Sequence, residues 1–276
     1  MKLNTVLTNA KKSPSFSSVL VFLLLIIINA LLQPRFFTLP VIKSNIMTFT
    51  PLILLAMAQA VIVISGGIDL SIGTSVTLIN VIMASLMGDS TGSVLLAMLA
   101  GLGVALVMGA VNGICIGYIK MPAMVATFAT ATIWYGISLL IMPQPGGYVP
   151  SAYYRLYQQT LLGFIPVSLI IIIAAVLIWS LIKTRRIYRN LYATGGNESA
   201  ATANGINAAR TKLIAFLIAS VFVSMAAFCV TAQTASGDAH VGDPFALTSI
   251  ASIVIGGIAL AGGRGKILGA ILGATS

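Results

Sequence analysis

Acidic residues are almost absent from this sequence: Asp and Glu together number 5 in 276 residues, against 15 Lys and Arg, and only 7% of the chain is charged. A soluble domain carries about 25% charged residues. With 58% hydrophobic residues and a mean hydropathy of +1.05, the chain reads as a polytopic membrane protein. Histidine occurs once, His240, beside Asp238 and Asp243 in a polar stretch, which reads as a solvated loop and leaves no metal site expected. The same scarcity excludes hydrolytic chemistry. No histidine lies in an apolar run to activate a serine, and Asp69 has no second intramembrane aspartate to pair with. Cys115 and Cys229 both sit in apolar runs, without metal spacing or a disulfide framework. The net charge of +10 does not point to nucleic acid, because the basic residues fall between apolar runs instead of forming one face. Orientation in a membrane and contact with anionic lipid account for them.

A helix crossing the ~30 Å of hydrocarbon needs about 20 largely apolar residues. Segments near 16–32, 46–65, 71–88, 94–118, 122–142, 163–182, 212–232 and 246–261 meet this, and a ninth opens at Lys266. The first is read as an uncleaved span, since Val19 to Leu32 runs into Gln33-Pro34-Arg35 without a small-residue cleavage pattern. With the N-terminus inside, twelve Lys and Arg fall on the cytoplasmic side and only Arg35, Lys43 and Arg155 outside. Such an excess marks the cytoplasmic face. The outer loops then contain 33–45, 88–93, 143–162 and 233–245. The third of these, rich in Pro, Gly and Tyr, is either a landing surface or a turn with interfacial aromatics.

The one long polar segment, Lys183 to Lys212, carries six of the basic residues and faces the cytoplasm in this topology. Within it Asn197 is placed to cap a helix, Glu198 to put a carboxylate near the positive helix end, and Gly205 to end the turn, with Ser199 to Ala203 between them. So short a helix does not hold alone in water. It is either a turn packed under the bundle or an element that docks in a soluble partner.

Asp69, in ISGGIDLSIG, stands near the inner end of its span, where it is a helix cap at a turn or a proton or cation site. VIGGIALAGGRG, from Val254, repeats the GGI-x-L pattern of Gly66 to Leu70, in the same direction across the membrane. Paired glycine-broken spans can mark backbone that lines a pathway; chance in a Gly- and Ile-rich chain is the competing account. Gly265-Lys266 does not close a phosphate-binding loop, because Leu260 stands where its first glycine belongs and Ile267 where Ser or Thr holds Mg²⁺. The remaining intraspan polar groups, Gln59, Asn80, Asn112, Thr127, Thr130, Thr132 and Ser138, are neutral. They fit helix packing, or a path for a neutral polar solute better than one for an ion.

Four stretches in order, SGGIDLSIG at 65–73, GAVNGICIGYIKMPAMVATFAT at 109–130, YATGGNESAATANGI at 192–206 and IGGIALAGGRGKILGAILG at 255–273, resemble the membrane permease subunits of ATP-binding-cassette sugar importers of the ribose, xylose and galactose type. The resemblance implies an all-α transmembrane bundle of about ten spans in the bacterial inner membrane, of which about nine are present, so that 1–276 is a single permease domain truncated at its C-terminus. It implies no enzyme activity and no cofactor in this chain. ATP and Mg are bound by cytoplasmic ATPase subunits, and the other partners are a second permease copy, a periplasmic sugar-binding protein and membrane lipid. It makes 183–212 the coupling loop, with Gly196, Asn197, Glu198, Ala200, Ala201 and Gly205 at the ATPase, and Gly66, Gly67, Asp69, Gly256, Gly257, Gly262 and Gly263 at gating turns. Tyr188 departs from the glycine usual before Arg189. For the translocation path the expected residues are the mid-span side chains Asn80, Asn112, Thr127, Phe128 and Tyr135. The alternative is a secondary transporter that uses Asp69 to couple to an ion gradient.

Overall fold

The computed structural model describes residues 14–161, 163 and 165–276. Lys2, Lys11 and Lys12, used above to orient the N-terminus, lie outside the described residues. The architecture is helical: α1 (Pro14–Leu32), α2 (Leu39–Ile64), α3 (Ile72–Leu86), α4 (Thr91–Gly117), α5 (Ala123–Ile141), α6 (Ser151–Gln158), α7 (Val167–Lys183), α8 (Arg186–Gly196), α9 (Glu198–Ala203), α10 (Ala208–Thr234), α11 (Phe245–Ile255) and α12 (Ile267–Ala274). A small antiparallel pair, β1 (Thr160–Leu161) and β2 (Ile165–Pro166), precedes α7.

Hydropathy alone cannot say which helix is central, because every long one is apolar; packing decides it. The apolar window of α2 is 72% buried, against 28% in α4 and 22% in α5. Helices α7, α10, α11 and α12 surround α2. Its Ala56, Ala58 and Ala60 leave room for neighbours to approach, and all three are fully buried. The opposite solution holds α4 against α10. Gly109, Gly113 and Gly117 form a stripe four residues apart, and a Cβ on them would meet Ser220 Oγ at 1.9 Å, Leu213 Cα at 2.8 Å and the Ala209 carbonyl at 2.6 Å. Small-residue stripes of this kind let helix backbones touch where lipid supplies no hydrophobic drive to associate.

Helices α2, α4, α5 and α10 are each long and apolar enough to cross a membrane, and α7 with α8 would make a fifth if their 83° bend lay within one span. Two of the expected spans are shorter than drawn. Helix α3 has 15 residues and α11 has 11, about 22 and 16 Å. The reason for the second is a correction to the loop expected at 233–245. Helix α10 continues to Thr234, and the chain then descends along α3 as irregular backbone instead of looping outside. Gly237 packs on Ala84, Asp238 N–H donates to Asn80 Oδ1 at 2.9 Å, Gly242 N–H donates to Thr77 Oγ1 at 3.0 Å, and Gly242 abuts the Gly73 carbonyl. Backbone of this sort is tolerated at such depth only where protein groups satisfy it, and α3 supplies those partners.

The tyrosines of 143–162 hold the chain down. Tyr153 and Tyr157 donate to the carbonyls of Phe228 and Met47 at 3.0 and 2.8 Å, and Tyr148 donates to Asp89.

Candidate coupling and translocation sites

One end of the bundle gathers α8, α9 and the 118–122 turn. Asn197 has extended backbone, and its side chain accepts from Ala200 N–H at 2.9 Å, so it is the N-cap of α9. Gly205, at φ +79°, ends the turn where other residues would be strained. The Glu198 carboxylate takes Lys212 Nζ at 2.5 Å and Lys120 Nζ at 3.3 Å. Those two ammonium groups hold its pKa below the ordinary carboxylate value, the Lys212 hydrogen bond most of all. This clamp sets which side of the six-residue helix looks out. Glu198 faces the bundle, and Ala201, 5% exposed, packs there too. Ala201 therefore cannot meet an external partner, contrary to its expected place in the coupling face. Gly196, Asn197, Ser199, Ala200, Thr202, Ala203, Asn204 and Gly205 are left exposed.

Directly behind α9 three glycine-containing stretches converge. Gly66 at φ +88° lies against Gly195, Gly262 at φ +89° against both, and Gly263 against Gly196. Gly263 N–H donates to the Ile64 carbonyl at 3.1 Å. A Cβ on Gly195 would stand 1.9 Å from the Ile64 carbonyl oxygen, 2.8 Å from Gly263 N and 2.9 Å from Gly66 N. The first GGI-x-L turn and the Gly262–Gly263 turn that follows the second thus share one floor, the backbone immediately before α9. Gly256 lies elsewhere: it packs on Gly269, where α11 meets α12. Gly67 sits over Ile62, and Gly257 ends α11 at φ +75°.

Asp69 is part of a closed network. Its Oδ1 accepts from Ser71 N–H at 2.7 Å and from Ser71 Oγ at 2.6 Å, while Asn112 donates to Ser71 Oγ at 2.9 Å and accepts from Thr130 Oγ1 at 2.7 Å. The Gln59 amide, oriented by its surroundings, bridges the Asp69 backbone N–H and C=O at 3.3 and 3.2 Å. Thr127 accepts from Leu70 N–H at 3.1 Å. The space bordered by Asp69 and Asn112 is a void of about 10 Å³. That is room for about one water, and no ion passage.

Three of the five expected path residues are accordingly corrected. Asn80, Asn112 and Thr127 are at most 2% exposed, and their polar atoms are bonded within the chain. They are struts between helices. Phe128, 66% exposed, and Tyr135 lie on an open face of α5. Sequence reasoning missed what stands beside Tyr135. The descending segment brings His240 to it with ring centroids 5.6 Å apart, the tyrosine hydroxyl 3.3 and 3.5 Å from the two ring nitrogens. His240 Nδ1 lies 3.2 Å from Asp243 Oδ2.

The family model described as branched-chain amino acid transport system / permease component matches residues 41–276. The chain belongs to that permease family. Among curated proteins, the permease is 29% identical over 267 residues to the ribose import permease protein RbsC of Escherichia coli K12, covering 93% of this chain and 81% of that one. It is 30% identical to RbsC of Bacillus subtilis 168, covering 91% and 78%, and 30% identical to the galactose/methyl galactoside import permease protein MglC of Haemophilus influenzae, covering 91% and 81%. No solved structure matches the permease. The chain is thus the permease component of a transport system, a multi-pass membrane protein.

Proposed function

We propose that this permease forms the translocation path of an ATP-driven importer for a monosaccharide or similar small polar solute, and that α9 is its coupling helix. The cluster of basic residues at the α8–α9 end, Arg186, Arg189, Arg210, Lys120 and Lys212 among them, faces the cytoplasm, with the N-terminus on the same side of the bacterial inner membrane. ATPase subunits supply the ATP and Mg²⁺ chemistry; this chain has no ATPase site of its own. A second permease copy completes the path, and a periplasmic binding protein delivers the solute. The similarity to permeases named for ribose and for galactose import supports a sugar as cargo.

The observation that carries this reading is the shared floor behind α9. A push on the exposed side of a capped, clamped helix reaches Gly195–Gly196, and through their backbone contacts Gly66 of the first GGI-x-L turn and the Gly262–Gly263 turn that follows the second. The Asp69 alternative finds no comparable support, since that carboxylate is engaged by Ser71 beside a void for about one water.

A pull-down from detergent-solubilised membranes tests it. The intact chain should bring down an ATPase subunit, and Ala200→Arg or Ala203→Arg, both on the exposed side, should abolish the capture while leaving the chain monodisperse. Capture unaffected by both substitutions would place the ATPase contact elsewhere.

A further inference from the structure

The Tyr135, His240 and Asp243 side chains stand where lipid cannot be their neighbour. Tyr135 lies about 18 Å from the first residue of α5 and about 9 Å from its last, well inside the helical thickness of the bundle. His240 is fixed at the same depth, because Asp238 is bonded to Asn80 and Gly242 to Thr77, both within α3. At that depth the His240 and Asp243 side chains are 58% and 55% exposed. A carboxylate left half open to acyl chains costs several kcal/mol, so intramembrane acids face a bundle interior or a water-filled cavity. The contrast with α7 is direct, since its outward residues at similar depth are Ile170, Ile173 and Leu177.

The cluster is also held in place. Asp238 accepts from His240 N–H at 2.8 Å, His240 is braced between Tyr135 and Asp243, and Asp243 N–H donates to the His240 carbonyl at 3.1 Å. Below it on the same stripe of α5 follow the exposed Thr132 and Phe128. The face therefore offers a carboxylate and an imidazole for hydroxyl groups and two aromatic rings for the apolar face of a sugar ring, with no cationic side chain among these contacts.

We infer that this face lines a water-filled path, and that Tyr135, His240 and Asp243 form a hydrogen-bonding station for a neutral polyhydroxylated solute. The inference rests on the import reading above and adds a site to it.

Two measurements test it, on the full chain expressed with its ATPase. In a background with Cys115→Ala and Cys229→Ala, cysteines placed by Asp243→Cys, His240→Cys and Thr132→Cys should react with a charged, membrane-impermeant methanethiosulfonate at least tenfold faster than one placed by Leu177→Cys. Equal rates would mean that lipid or a dry protein contact covers the face, and would overturn the inference. Separately, Asp243→Asn and Tyr135→Phe should each lower ATP-dependent uptake of radiolabelled D-ribose or D-galactose about tenfold, with ATPase capture unchanged. Unchanged uptake in both variants overturns the station. Failure of the import reading looks different: the unsubstituted chain then takes up neither sugar, and the station falls with it.

Discussion

The two GGI-x-L turns share a sequence pattern, and the first meets the same floor as the Gly262–Gly263 turn that follows the second, yet they are held differently. The first is pinned by polar bonds: Gln59, Ser71, Asn112, Thr127 and Thr130 immobilise the segment around Asp69. The second has no acid at the matching place, where Ala259 stands. It is held by backbone approach, Gly256 to Gly269 and Gly273 to the Ser252 carbonyl, with Gly265 against Ile258, and by hydrogen bonds to its backbone, Tyr192 Oη donating to the Gly265 carbonyl at 2.8 Å and Gly263 N–H to the Ile64 carbonyl at 3.1 Å. Leu260 there is 45% exposed, whereas Leu70 is half-buried. A repeated backbone shape therefore does not fix how a turn is stabilised. Bonds among buried side chains hold the first, while close backbone contacts and hydrogen bonds to the backbone hold the second.

The largest effect in breaking this comparison belongs to the floor. Gly195→Ala drives a methyl into the Ile64 carbonyl and reaches both turns at once; overpacking backbone against backbone should cost about 3 kcal/mol. The expected readout is loss of the monodisperse peak in detergent or a large drop in Tm. Gly256→Ala should act on the second turn alone, its Cβ 2.3 Å from the Gly269 carbonyl. A cost of about 2 kcal/mol is expected, read as a lowered Tm and as faster proteolysis near 257–265.

At the first turn Asp69→Ala should cost about 1–3 kcal/mol, because it strands the Ser71 amide and hydroxyl in a buried site. Asp69→Asn keeps one acceptor and should cost less. ATP-driven uptake in Asp69→Asn should stay within about threefold of the unsubstituted chain, each tenfold change in rate being worth ~1.4 kcal/mol. An ion-coupled carrier would lose uptake altogether.

The smallest effect lies in the clamp that seats α9 over the floor. Glu198 has a lowered pKa in the folded chain, so its contribution is fully present above the unfolded value near 4.5 and is lost as pH falls through the folded pKa. The group is partly exposed, so Glu198→Gln at neutral pH should cost roughly 0.5 kcal/mol. The Tm difference between the two proteins should close below pH 4.5.

Much of this was legible beforehand because it is local. Asn197 as cap, Gly205 as terminator and the two glycine turns depend on residues within a few positions of one another. What escaped depends on partners far along the chain. The stretch from Gln233 to Phe245 is polar and glycine-containing, the composition of a solvent loop, and nothing within it announces that Asn80 and Thr77 wait on another helix to satisfy its amides. For the same reason Asn80, Asn112 and Thr127 looked like path residues: a mid-span asparagine has one composition whether it braces two helices or meets a solute. Ala201 was assigned to the wrong side because contacts of Glu198 with Lys212 and Lys120, both outside the loop's own helix, fix the rotation of α9.

The sheathing of α2 bears on biogenesis. Residues 39–64 leave the ribosome before several of their neighbours, 208–234, 245–255 and 267–274. Until those arrive the helix is only partly covered by protein, which its largely apolar surface permits and which Gln59, a buried amide along it, opposes. Assembly of the core thus waits for those helices, and a ribosome stalled before residue 208 would leave α2 in the bilayer with α7 against it but without α10, α11 and α12.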